Sequence, residues 1–433
     1  MHSPSQSVSE SPERAKPAGH VAARDDFGRE NCMKRVKHIC LVSILTALCL
    51  GLAACSQSSN CSGISFGGGG TGGSNGGGVS TGGSVCGSGG GNASGGSGSF
   101  VGFVYFVSGV NIDGAGYSGT SLAAVAGSSP SLGNGTDNDM TVVNKQFLYE
   151  PFLSDGASVV SIQGFSIDHN NGSLTAIPGN PVATTLSQGD SITSDPSGKF
   201  LFVGNSQTGE IAVFQVDSTT GALTDAPGSP FSSFGNGVTS LAVDGTGHFL
   251  YAANIGSLSG KVTGFSIDQN TGALSPIAGS PFATGLFELR GEASGKFLLG
   301  IGFGPSVTVV TIEPGTGALL SETSFPTVSS PNSLAVSPNG GFVYTFAIDS
   351  QNKAVPVEAY QLDASGNLTA VAGSPFATVA PLRNGKFMQD GKSLVGQNDT
   401  AGIQVLTSDP TTGVLSGVVP PFVTVSTYFA PTN

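Results

Sequence analysis

The sequence predicts an all-β fold: a seven-bladed propeller of four-stranded antiparallel blades, its ring closed by the C-terminal strand. Three observations carry that expectation. Strand-like segments recur at Phe103 ("FVYFV"), Phe147 ("FLYEP"), Phe200 ("FLFVGN"), Phe249 ("FLYAAN"), Phe297 ("FLLGI"), Phe342 ("FVYTF") and Ser393 ("SLVGQN"), at spacings of 44, 53, 49, 48, 45 and 51 residues. A period near 48 with four short strand signals per unit is the mark of propeller blades. One sentence is also written three times, as "TGALTDAPGSPFSS" (220–233), "TGALSPIAGSPFAT" (271–284) and "SGNLTAVAGSPFAT" (365–378). Finally, the first unit opens on a second strand, while the chain ends in "TVSTYFAPTN", which fits a first strand. Residues 424–430 are therefore expected to complete the blade begun at Phe103 and latch the ring.

One unit shows the plan. "TSLAV" (239–243) is the inner strand A and "DGTG" a tight turn. "HFLYAAN" is strand B, "IGSLSG" a loop and "KVTGFSI" strand C. "DQNTG" turns the chain, "ALSPIAGSPFAT" carries strand D outward, and "GLFELRG" returns to the centre. Period-2 alternation of β-branched and aromatic residues supports the strands. Both faces of a blade pack on neighbours, which accounts for the near-continuous apolar runs.

Recurrent acids read as turn chemistry. Asp168, Asp217, Asp268, Glu313, Asp363 and Asp409 precede the turns between strands C and D, and Asp195, Asp244, Glu292 and Asp390 those between A and B. Such carboxylates accept backbone N–H bonds inside the turn. Gly172, Gly221, Gly272, Gly317, Gly366 and Gly413 supply positive φ beside them.

The first hundred residues are different material. Residues 1–32 are polar and unpatterned, and read either as a disordered extension or as a start placed too early, with Met33 the true one. Residues 33–54 read as a lipoprotein signal peptide: Lys34, Arg35 and Lys37 precede an apolar run from Ile39 to Leu52. That run is short of the roughly 20 residues a membrane-spanning helix needs. It ends in Leu52-Ala53-Ala54-Cys55, which resembles the lipobox of bacterial lipoproteins. The resemblance implies a lipid on Cys55 as the membrane anchor, in the cell envelope, with Ser56 pointing to the outer membrane. Residues 55–99 are a Gly/Ser-rich tether with an r.m.s. span of roughly 35–40 Å. Cys61 and Cys86 lie in it, and their pairing is left open. Gly63-Ile64-Ser65-Phe66-Gly67 matches a nucleophile-elbow pattern but sits in low complexity, not between a strand and a helix.

Charge narrows the function. From residue 55 onward the chain has 9 Lys+Arg against 23 Asp+Glu, a field that repels a polyanion, so no nucleic-acid partner is expected. The chain shows no C-x-x-C spacing and no cofactor motif, so neither metal nor cofactor is expected. A monomer is expected.

The units, with "PSGKFLFVGN" (196–205) and "SPNGGFVYTF" (337–346), resemble the lactonase-type seven-bladed propellers, which include bacterial 6-phosphogluconolactonase and the related YVTN-type surface propellers. The likeness covers about residues 100–433. It implies catalytic His and Arg on loops at the channel mouth, in runs like G-P-R-H and D-L-G-x-D, and neither run is present. His169 and His248, the only histidines of the body, fall in C–D and A–B turns, on the face opposite the usual mouth.

The mouth is built by the D–A and B–C loops, where the units differ most. Its notable residues are Glu288 and Arg290 ("GLFELRG"), Arg383 and Lys386 ("PLRNGKF"), Asp190 ("SQGDS") and Asn332 ("SPNS"). Arg290 and Arg383 converging on a carboxylate, with Glu288 as base, would make a catalytic site. A salt bridge from Glu288 to one arginine, tying adjacent blades, is the plainer alternative. Three functions remain in view: a scaffold binding a small molecule or a protein, a lactone hydrolase, and a surface-display protein without a small-molecule site.

Overall fold

The computed structural model describes residues 100–433 except 109–110, 126–138, 155, 256–259, 348, 350–354, 380–381, 399–401, 418–428 and 433. The expected signal peptide, the expected lipobox with Cys55, the expected tether and the Cys61–Cys86 question lie outside the described residues.

Seven antiparallel sheets follow one another in the chain. Blade 1 holds β1 (Gly102–Ser108), β2 (Asn111–Tyr117) and β3 (Leu122–Ala124). Blade 2 holds β4 (Thr141–Val143), β5 (Phe147–Phe152), β6 (Ser161–Ile167) and β7 (Leu174–Ala176), with β8 (Val182–Ala183) turning back onto β6. Blade 3 repeats this with β9 (Ser191–Ser194), β10 (Phe200–Gly204), β11 (Glu210–Val216), β12 (Leu223–Asp225) and β13 (Phe231–Ser232), the last on β11. Blade 4 is β14 (Val238–Val243), β15 (Phe249–Asn254), β16 (Lys261–Ile267) and β17 (Leu274–Pro276). Blade 5 is β18 (Leu286–Gly291), β19 (Phe297–Gly302), β20 (Ser306–Ile312) and β21 (Leu319–Pro326). Blade 6 is β22 (Ser333–Val336), β23 (Phe342–Phe346), β24 (Glu358–Leu362) and β25 (Leu368–Ala370). Blade 7 is β26 (Asn384–Phe387), β27 (Ser393–Asn398), β28 (Gly402–Ser408) and β29 (Leu415–Ser416). Each second strand begins within a residue of its expected start.

The ring closes as the sequence predicts. The last strand, β30 (Phe429–Pro431), pairs antiparallel with β1, Phe429 opposite Phe106 and Pro431 opposite Val104. It is the inner strand of blade 1. Phe103 is held to Thr432 twice, donating its N–H to Oγ1 at 2.9 Å and accepting the Thr432 N–H at 2.6 Å. β30 overlaps the expected 424–430 at Phe429 and Ala430, and residues 424–428 lie outside the described set. The inner strands touch in ring order, β30, β4, β9, β14, β18, β22, β26 and back to β30.

Each junction between blades has its own apolar cluster, seven in all. A shared clamp runs through most of them. The leading Phe of strand B lies on the C–D turn glycine of the next blade: Phe103 on Gly172, Phe147 on Gly221, Phe200 on Gly272, Phe249 on Gly317, Phe297 on Gly366 and Phe342 on Gly413. Two residues on, Tyr105, Tyr149, Tyr251 and Tyr344 donate their phenolic protons to the carbonyls of Gly172, Gly221, Gly317 and Gly413, at 2.6–2.9 Å. Burial raises the pKa of all four phenols above the ordinary value. They therefore stay protonated and keep donating.

The thrice-written sentence folds differently from the expected single outer strand. Only Leu274–Pro276 pairs as strand D. The chain then turns, and Phe282 bridges back to Val262 at the start of β16. The serine of "GSPF" accepts a strand-C N–H in each copy: Ser229 from Val213, Ser280 from Gly264 and Ser374 from Ala359, all at 2.9 Å. In blade 2 the Asn180 side chain takes that place, accepting the Gly164 N–H at 2.7 Å. Blade 5 lacks the motif, and its β21 pairs with β20 along the whole strand. The sentence is thus a device for folding the outer edge back on strand C.

Candidate functional site

In an A-B-C-D blade the D–A and B–C connections share one end, and the A–B and C–D turns the other. The turn end is structural. Asp195, Asp244, Glu292 and Asp390 accept two or more turn N–H bonds each. His169 and His248 are both exposed in these turns. A ring nitrogen of His248 meets the Thr246 hydroxyl at 3.1 Å, and its ring lies 6.4 Å from that of Phe249.

The other end carries the candidate residues. Glu288 stands on β18 at a register shift between Leu286 and Glu288. Such a bulge re-aims a side chain. One carboxylate oxygen takes the Arg290 guanidinium at 2.8 Å, the Ser333 hydroxyl at 2.9 Å and the Leu334 N–H at 3.3 Å. Arg290 also donates to the Leu289 carbonyl at 2.8 Å. Ser333 and Leu334 belong to β22, so Glu288 ties blade 5 to blade 6. Burial raises the Glu288 pKa; Arg290 and the two hydrogen bonds oppose this, and Asp139 adds to it.

A second ion pair spans three blades. Lys386 on β26 reaches Asp139, just before β4, at 2.7 Å, and the Met140 carbonyl at 3.3 Å. On the way its ammonium passes 5.8 Å from the centre of the Phe429 ring on β30. Blades 7 and 2 are thereby joined across the latch strand of blade 1.

Glu288 and Arg290 are brought together at 2.8 Å; Arg383 directly precedes β26 of blade 7. Its backbone N–H donates to the Gln397 carbonyl at 2.9 Å, at the start of blade 7. Asp190 accepts the Ser206 hydroxyl across the loops of blade 3, and burial raises its pKa against that bond. Asn332 donates its N–H to the Phe346 carbonyl at 2.7 Å, and its buried Nδ2 finds no partner among the described residues. No group of three His, Cys, Asp or Glu among the described residues is placed to hold a metal.

Sequence reading missed three participants. Asp139 lies outside the turn motifs, and that was its one available signal. Ser333 carries none. Glu358, an acid inside the apolar run of strand C, is buried. It accepts N–H bonds from Val328 and Ser329, at 3.0–3.2 Å, and the Tyr360 hydroxyl, which fixes the D–A loop of blade 5.

Comparison with known proteins agrees with this architecture. Residues 159–239 match the family described as "Lactonase, 7-bladed beta-propeller". No curated protein matches the chain. Among solved structures, a candidate 6-phosphogluconolactonase from Bacteroides uniformis superposes with a TM-score of 0.60 at 16% identity, over 76% of this chain and 99% of that one. The periplasmic gluconolactonase PpgL of Pseudomonas aeruginosa gives 0.59 at 18% identity, over 77% and 98%. At such identities the likeness is one of fold. The chain is a seven-bladed propeller whose residues 159–239 match the lactonase propeller family and whose fold is similar to that of the two gluconolactonase-named structures.

Proposed function

We propose that the chain is a binding propeller of the cell envelope, anchored by a lipid on Cys55, that receives its partner on the D–A and B–C face. One observation carries this reading. Seven large apolar side chains are exposed among the described residues, and five of them, Val159, Phe234, Phe303, Val328 and Val379, sit on the loops of that face. Exposed apolar side chains gathered on one face favour association. Beneath them Glu288 with Arg290 and Lys386 with Asp139 are engaged in ties between blades, which leaves the surface chemistry to these loops. The test is affinity capture from envelope extract with the full chain. Wild type and Leu320→Asp, a change on the outer strand, should retain a stoichiometric partner that Phe303→Asp/Val328→Asp loses. Equal loss in Leu320→Asp, or no partner with any of the three, would overturn the reading.

Lactone hydrolysis is the second reading. It is favoured by a buried acid of raised pKa beside an arginine, as a general base or acid would require. Turnover of simple lactones or of 6-phosphogluconolactone, abolished by Arg290→Ala/Arg383→Ala, would establish it.

A further inference from the structure

Phe234 holds a left-handed backbone that it shares with Gly285 but not with Thr185 or Val379, which stand at the same place in blades 2 and 6. In the alignment of "SPFSSF" (229–234) with "SPFATG" (280–285), Phe234 falls on Gly285. Gly285 has φ +71°, and Phe234 adopts φ +60°. This is the left-handed region that glycine enters without cost and a bulky side chain does not. The Phe234 ring is also 61% exposed, so burial does not offset the strain. Strain kept without a packing gain points to function.

The loop around the ring is fixed. A Cβ on Gly235 would lie 2.5 Å from the Asn254 side chain, and one on Gly237 would lie 1.9 Å from the Ser206 carbonyl, so the backbone is pressed onto both neighbours. Phe234 donates its N–H to Ser232 Oγ at 3.1 Å. Below, Ser233, Asn254 and Thr263 are buried and bonded to one another. The backbone that presents the ring is therefore fixed ahead of any partner, which lowers the cost of binding.

Beside it is a recess over β15 and β16, with Asn254 and Thr263 in its floor and Phe234, Asn236, Lys261 and Pro281 at its rim. Asn236 and Lys261 are exposed, and the Lys261 ammonium makes no ion pair among the described residues. A flat apolar ring next to a small polar recess suits a ligand with one C–H face and a polar edge, as a pyranose has. The overall charge is negative, but fields from distant groups are screened beyond about 8 Å at physiological salt. The nearby ammonium decides, and it selects an acidic group.

We infer that this recess at the junction of blades 3 and 4 is a saccharide site for an acidic pyranose, such as a uronate residue, with Phe234 as the stacking platform and Lys261 as the carboxylate partner. The site shares Phe234 with the partner-binding face proposed above, and titration with sugars tests it separately from capture of a protein partner. It is tested by calorimetric titration of the full chain with a galacturonic acid trisaccharide and with maltotriose. Wild type should bind the acidic trisaccharide more tightly than the neutral one. Phe234→Gly should weaken that binding by at least about tenfold, as the loss of one aromatic contact does. It should unfold at the same temperature as wild type or above it. Lys261→Gln should remove the preference for the acidic sugar. The inference is overturned if wild type binds neither sugar or prefers the neutral one, if either variant binds as wild type does, or if Phe234→Gly unfolds at a lower temperature, which would make the ring a packing element.

Discussion

Gly156 and Gly221 have nearly the same backbone angle, φ +72° and +73°. Their surroundings differ. A Cβ on Gly156 meets nothing within 4 Å, whereas one on Gly221 would sit 2.6 Å from the Phe147 ring. Gly156→Ala should therefore cost only the left-handed penalty, about 1–2 kcal/mol. Gly221→Ala should cost a further 1–3 kcal/mol or so for overpacking the junction of blades 2 and 3. Urea melts of the two variants check this, and equal losses would show that the Phe–Gly clamp is slack. The role of such glycines as turn formers was legible in the sequence, because positive φ in a turn is local chemistry. Their second role under a neighbour's Phe and Tyr was not, since the contact joins residues some 70 positions apart. Glu288 is alike: its arginine two residues on could be guessed, but Ser333, 45 residues away, could not.

At the scale of the element, the C–D turn is a carboxylate wrapped by its own turn. Asp268 accepts the N–H groups of Asn270 and Thr271 and the Thr271 hydroxyl, each at 2.9 Å. These bonds, foremost that of the Thr271 N–H, lower its pKa below the usual carboxylate value. The same holds for Asp217, Asp363 and Asp409. A depressed folded pKa means stability that is present above the ordinary carboxylate range and lost as pH falls through the folded value. Asp268→Ala should unfold at a lower temperature than wild type at pH 7, with the gap narrowing as pH falls toward about 3. Thermal melts across that range decide it, and a gap that stays constant would contradict the assignment. The strands of these elements were legible from period-2 patterning. The fold-back of "GSPF" was not, because its serine bonds to a strand 15 or 16 residues earlier in each copy.

For the whole molecule, one short strand closes the ring. Phe429 and Ala430 are buried, and Thr432 holds Phe103 at both its N–H and its carbonyl. Deleting residues 429–433 removes these contacts and uncovers the inner edge of β1, which invites pairing with other chains. Loss of the Phe429 ring alone should cost about 3–5 kcal/mol. The shortened chain should melt well below the full chain and self-associate on size exclusion; an unchanged melt would contradict the latch. Blade number and closure could be read in advance because seven junctions pose nearly one packing problem. The D–A and B–C face could not, since its residues follow no repeat and its ties cross blades, as Lys386 does to Asp139. Our central proposal is that Glu288 serves to knit blades 5 and 6, through Ser333 and Leu334, in preference to the role of base in lactone opening. The most direct measurement follows the opening of glucono-1,5-lactone by the full chain and by Glu288→Gln, with a melt of each. The account predicts the spontaneous rate for both proteins and a variant less stable by about 1–3 kcal/mol. Catalysed opening by wild type, lost in a variant that melts as wild type does, would contradict it.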